Sequence, residues 1–192
     1  MKKLAYAVRV ITVAPIMALV MLLVLYFREP DFFGGLIEFL LSALFLVVLP
    51  LLAYPLQPLI KQFKYKGREG QRTLALIFAV AGYFLGCLFA AVLGAPQNVW
   101  FIYLSYMLSG SFVALFNKVF RFRASGHACG ISGPYMLLVY FGQPIGYIGF
   151  AVLLLVWAVS LYMKRHTTAQ FIVGALIPFA ALGLLILGFS LF

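Results

Sequence analysis

Acidic side chains are almost missing from this chain: 192 residues hold four Asp and Glu against 14 Lys and Arg, and charged residues of both signs make up only 9%. An ordinary soluble domain carries roughly 25% charged residues, so a water-facing surface of normal composition is excluded. Cysteine is equally scarce. Cys87 and Cys129 both fall inside apolar runs, which excludes a disulfide framework or a Cys-rich metal site and reads them as packing residues. Long polar stretches are missing too. None exceeds about a dozen residues, which leaves no place for an interdomain linker, and the chain reads as a single domain over 1–192 without an internal repeat.

What the chain has in abundance is apolar sequence, 66% hydrophobic and 17% aromatic. A helix needs about 20 such residues to cross a hydrocarbon core of ~30 Å. Seven apolar runs therefore predict an all-α polytopic transmembrane bundle of six to seven spans, at residues 8–27, 36–59, 73–93, 100–116, 128–141, 145–163 and 168–191. The first run follows Lys2, Lys3 and Arg9 but is long and ends without a small-x-small pattern, so it reads as a retained helix rather than a signal peptide. Pro50, Pro55 and Pro58 predict a kink or break late in the second. The fifth, at ~14 residues, rises only ~21 Å, and one of its ends is expected in a protein-lined recess.

Alternating the connections sorts the charge. Thirteen of the 14 basic residues fall on one side, with Arg28 alone opposite. The positive-inside rule makes that side the cytoplasmic face of the cell membrane. The formal net charge of +10 is too scattered between apolar runs to be a nucleic-acid footprint, and most of it reads as topology and contact with anionic headgroups.

Three polar segments on that side need more explanation: Lys66 to Arg72, Arg121 to His127, and Ser160 to Gln170, which between them hold both histidines, His127 and His166. The chemistry they suit is phosphate handling. A helix N-terminus offers free N–H groups, Ser125-Gly126 lets backbone approach an anion, and Arg presents a fork that matches phosphate oxygens. Two histidines supply an attacking group and an acid near neutral pH. Four residues apart on the last helix, His166 and Gln170 are expected to share a face, with the amide orienting the imidazole. A metal is not expected, because two histidines with only Glu69 nearby make a thin ligand set.

With these residues the sequence resembles the type 2 phosphatidic acid phosphatase superfamily, whose motifs read K-x6-R-P, P-S-G-H and S-R-x5-H-x3-D. It looks most like a branch with S-G-H-A-x-G and K-R-H-T-x-x-Q, matched here by Ser125 to Gly130 and Lys164 to Gln170 over most of the C-terminal half. The N-terminal third adds little to the resemblance. The resemblance implies a metal-independent lipid phosphatase without a cofactor, in which His166 takes the phosphoryl group as a phosphohistidine and His127 protonates the leaving alkoxide. It implies a phosphate cradle of Ser125, Gly126 and Arg72, and puts Gln170 where most members have an aspartate. Three departures stand out. Thr73 follows Arg72 in place of proline, and Lys66 is one residue too close, which brings in Arg68 as a substitute. Ser160 occupies the position of the third-motif arginine, a main phosphate clamp, with Lys164, Arg165 or Arg123 as possible compensation. The expected substrate is a lipid phosphate or diphosphate. The alternative is a weakened relative that binds or carries anionic lipid without efficient turnover, and a small transporter is a third reading.

Overall fold

The computed structural model describes residues 2–190, which are 84% helical with no strand among them. The first apolar run folds as two helices, α1 (Lys2–Ile11) and α2 (Ala14–Arg28), bent by 48° at Thr12-Val13. Pro15 sits in the first turn of α2, where its missing N–H costs nothing, so the chain restarts there in a new direction.

Helix α3 (Leu36–Leu59) is continuous but changes pitch. It widens into a π turn at Leu44–Val48 just before Pro50, then closes through a 3-10 turn at Gln57–Leu59. The widened turn absorbs the clash between a proline ring and the carbonyl four residues back. The kink expected from the prolines is thus spread along the helix.

Helix α4 (Gly67–Leu93) begins well before the predicted Thr73. Arg68, Gln71 and Arg72 are good helix formers, and Glu69 meets the positive end of the dipole in the first turn. Hydropathy marks the part of a helix fit for lipid, and the helix itself runs further. Helices α5 (Gln97–Lys118), α6 (Gly126–Tyr140), α7 (Ile148–Tyr162, after a 3-10 turn at Pro144–Tyr147) and α8 (Thr168–Ser190) complete the bundle. The predicted end of the last span, Leu191, lies outside the described residues.

Among the described residues five helices are long and apolar enough to cross a membrane: α3, α4, α5, α7 with its leading turn, and α8. The bent α1–α2 pair makes a sixth. The 15 residues of α6 fall short at ~22 Å. This short helix is the centre of the bundle, packed against α2, α5, α7 and α8, with Ala128, Ile131, Pro134, Leu137 and Leu138 buried. Ser125 before it and Gln143 after it are buried as well. Both ends of α6 are enclosed by protein, where the sequence suggested one.

Outward faces are apolar: Phe84, Val92, Phe150 and Leu187 are each more than 60% exposed. Such a surface suits hydrocarbon as its solvent. At one end of the bundle Gln143 Nε2 donates to Glu29 Oε1 at 2.7 Å and Gly34 lies against the Pro96 ring. The acidic residues Glu29, Asp31 and Glu38 belong to the loop and helix start at that end, and the histidines lie at the other.

Candidate functional site

The turn between α7 and α8 is fixed from both sides. Arg165 N–H donates to the Ser160 carbonyl at 3.0 Å and Lys164 N–H to the Leu161 carbonyl at 2.9 Å. This is a Schellman ending, with Lys164 at φ 51° in the left-handed position that glycine usually fills. On the other side Thr167 N–H donates to Gln170 Oε1 at 3.2 Å and Gln170 N–H to Thr167 Oγ1 at 3.3 Å, a reciprocal capping box. Arg165 and His166 are held between the two.

Gln170 therefore has a structural task as well as a place near the imidazole. It does not share a helical face with His166, because α8 starts at Thr168, after His166. Its amide favours the charged form of His166, yet His166 Nδ1 is buried without a hydrogen bond of acceptable geometry. Nε2 is the ring nitrogen not enclosed in this way.

The start of α6 is tied to the same helix. Ser125 Oγ caps α6 by accepting from Ala128 N–H at 3.2 Å, while Ser125 N–H donates to the Gln170 carbonyl at 2.9 Å. Gly174 of α8 lies so close to the Ser125 peptide that a Cβ would overlap its carbonyl oxygen. These contacts bring His127 into the electrostatic field of His166. They use the N–H of Ser125 and one lone pair of its hydroxyl, leaving the hydroxyl proton free to donate. The backbone donors of the first turn left for an anion are the N–H groups of Gly126 and His127.

The third component comes from the N-terminus. Gly130 of α6 packs directly on Ala14, which sets the α1–α2 bend against the site. Thr12 Oγ1 donates to the Val8 carbonyl at 2.8 Å and lies 3.1 Å from His127 Nε2. With its one proton committed to Val8, the hydroxyl accepts from Nε2–H, so neutral His127 carries its lone pair on Nδ1. Arg9 Nη1 donates to Ser160 Oγ at 3.0 Å.

Electrostatically the site is cationic and short of counter-charge. Burial pushes His166 below the usual imidazole range, and Arg72, Arg9 and Arg123 push the same way against the Gln170 amide. Burial, then Arg9 and His166, press His127 down to about 3. Both shifts favour the neutral ring, and a bound dianion would raise both. Arg68 acts on Arg9, and Arg123 on Arg72, with Glu69 the acid beside Arg72. Lys66 stands apart from this group: it caps α4, with Nζ 5.8 Å from the Phe63 ring centroid.

Among the described residues no three of His, Cys, Asp and Glu gather as metal ligands would. A cleft of about 370 Å3 beside Leu23, Phe27, Arg28 and Gln143 lies at the far end and contains none of these groups. The structure thus joins His127, His166, Arg72 and Arg68 in one field and places Ser125 and Gly126 at its edge. Sequence reasoning missed Arg9 and Thr12. The signal was present, since an ionisable residue and a hydroxyl inside an apolar run suggest function by default. Compared with known proteins, the chain matches no family model, no curated protein and no solved structure.

Proposed function

We propose that this chain is an integral-membrane hydrolase of lipid phosphates or diphosphates, of the type 2 phosphatidic acid phosphatase kind, with its site at the cytoplasmic leaflet. The observation that supports it most is the pair of imidazoles, His127 and His166, both shifted towards the neutral form by burial and set in the field of Arg9, Arg72 and Arg123 beside the start of α6. In this reading His166 Nε2 attacks phosphorus as the bond to the lipid oxygen breaks. His127 Nδ1, protonated once phosphate is bound, gives its proton to that oxygen. A water then attacks the phosphohistidine. Its proton returns to His127, the P–N bond breaks, and phosphate leaves.

The arginines and the Gly126 and His127 N–H groups stabilise charge on the equatorial oxygens, and no step calls on a metal or cofactor. Lipid tails reach the site sideways from the bilayer, which an apolar outer surface allows. The test is a phosphate-release screen of the purified protein over phosphatidate, phosphatidylglycerol phosphate and prenyl diphosphates, with His166→Ala as control. One of these should release phosphate and lose that activity by about 10³-fold or more in the variant. Undiminished turnover by His166→Ala would remove the nucleophile assignment. Anion binding without release from any of them favours the alternative, a carrier or binder of anionic lipid.

A further inference from the structure

Arg9 was grouped in the sequence with residues that set topology, but its surroundings suit a ligand. Its side chain turns inward from the last turn of α1 to Ser160 Oγ, 151 residues away and 1% exposed. The charged groups in its field are Arg68 and Arg72, with the Tyr54 phenol and both histidines. No carboxylate acts on it. A half-buried guanidinium in the field of two others is costly unless an anion joins them, and a chain whose other three acids lie on the far-end loop and helix start offers none from itself. The contact with Ser160 uses one of five N–H donors, so the rest of the fork is free.

Ser160 is also the position where an arginine is missing from the resemblance. We propose that Arg9 is a phosphate-binding residue, delivered across the α1–α2 bend to the place a side chain from position 160 would otherwise fill. The bend is what makes this possible. Thr12-Val13 and Pro15 stop α1, Gly130 admits Ala14, and Thr12 fixes His127 one turn beyond Arg9. The N-terminal helix pair becomes part of the site, and the guanidinium reaches the phosphoryl group from the side of His127. The assignment rests on the phosphohydrolase reading for its substrate, but binding of an anion can be measured without turnover.

The experiment uses the full chain in detergent, with orthovanadate as a phosphoryl mimic in titration calorimetry beside the phosphate-release assay. Arg9→Ala should weaken orthovanadate binding by on the order of 10². Arg9→Gln keeps a donor for Ser160 without the charge and should be weakened alike, which separates anion binding from packing. Arg9→Ala combined with Ser160→Arg should recover to within about tenfold of wild type, because the guanidinium is restored from α7. Wild-type affinity in Arg9→Gln overturns the assignment, as does a double variant no better than Arg9→Ala. A wild type that binds orthovanadate but hydrolyses no lipid ends the enzyme reading and leaves Arg9 in place. One that binds no orthovanadate overturns both.

Discussion

His166 shows how one residue's surroundings set its chemistry. Lowering its pKa below the usual imidazole range keeps Nε2 a free base into mildly acidic solution. The sign follows from the proposed attack, which needs the neutral ring. Activity is therefore full above the folded pKa and is lost as pH falls through it, so the acid limb of kcat/KM should lie below about 6.5. Of the neighbouring charges, Arg72 lowers it most. Arg72→Gln should shift that limb towards 6.5 as well as lowering the rate. Comparing both proteins on one substrate cancels the ionisation of the substrate itself, and an unmoved limb would separate Arg72 from His166. His127 follows the opposite logic. It is held neutral by burial, Arg9 and His166, and is expected to gain its proton only with bound phosphate.

The same site depends on how α6 and α8 approach each other. Gly174 leaves room for the Ser125 peptide, and the Gln170 carbonyl holds the Ser125 N–H. Gly174→Ala puts a Cβ against backbone, which cannot rotate aside, so the first turn of α6 must move away from His166. A misplacement of about 1 Å is enough to cost roughly 10²-fold in rate, with overpacking lowering stability by about 1–3 kcal/mol. Gly183→Ala on the same helix meets open space and should leave the rate unchanged while slightly raising Tm. Equal rates in both variants would remove this contact from the account. Much of this arrangement was legible in the sequence. The long helices follow apolar runs, and His127, His166 and Ser125 fall in segments whose residue types suggested phosphate. The start of α4 was hidden because helix propensity continues past the apolar run into Arg68 and Arg72. The α1–α2 bend was hidden because Thr12-Val13-Ala14-Pro15 lies inside one, and the Arg9–Ser160 contact joins opposite ends of the chain, beyond the reach of any local pattern.

The whole molecule is polarised along its axis, with three of four acids on the far-end loop and helix start and the arginine cluster with both histidines at the other. That asymmetry sets both orientation and function in the proposed reading, since the cationic end both stays in the cytoplasm and attracts anionic headgroups. It also makes orientation testable independently of activity. In a background with Cys87→Ala and Cys129→Ala, a single cysteine is introduced at Tyr65, which is 86% exposed at the basic end, or at Tyr147, which is 71% exposed at the other. A membrane-impermeant thiol reagent added to intact cells should label Tyr147→Cys and spare Tyr65→Cys until the membrane is opened. The central position of α6 sharpens the test. It begins at the histidine end and finishes beside Gln143 and Glu29, so it traverses the bundle although it is too short to cross a bilayer alone. Tyr147 follows that crossing and must lie opposite Tyr65. Labelling of Tyr65→Cys with protection of Tyr147→Cys would turn the site to the outer leaflet, and with it the pool of lipid phosphates open to the proposed activity. Equal labelling of both in intact cells would contradict the path of α6 itself.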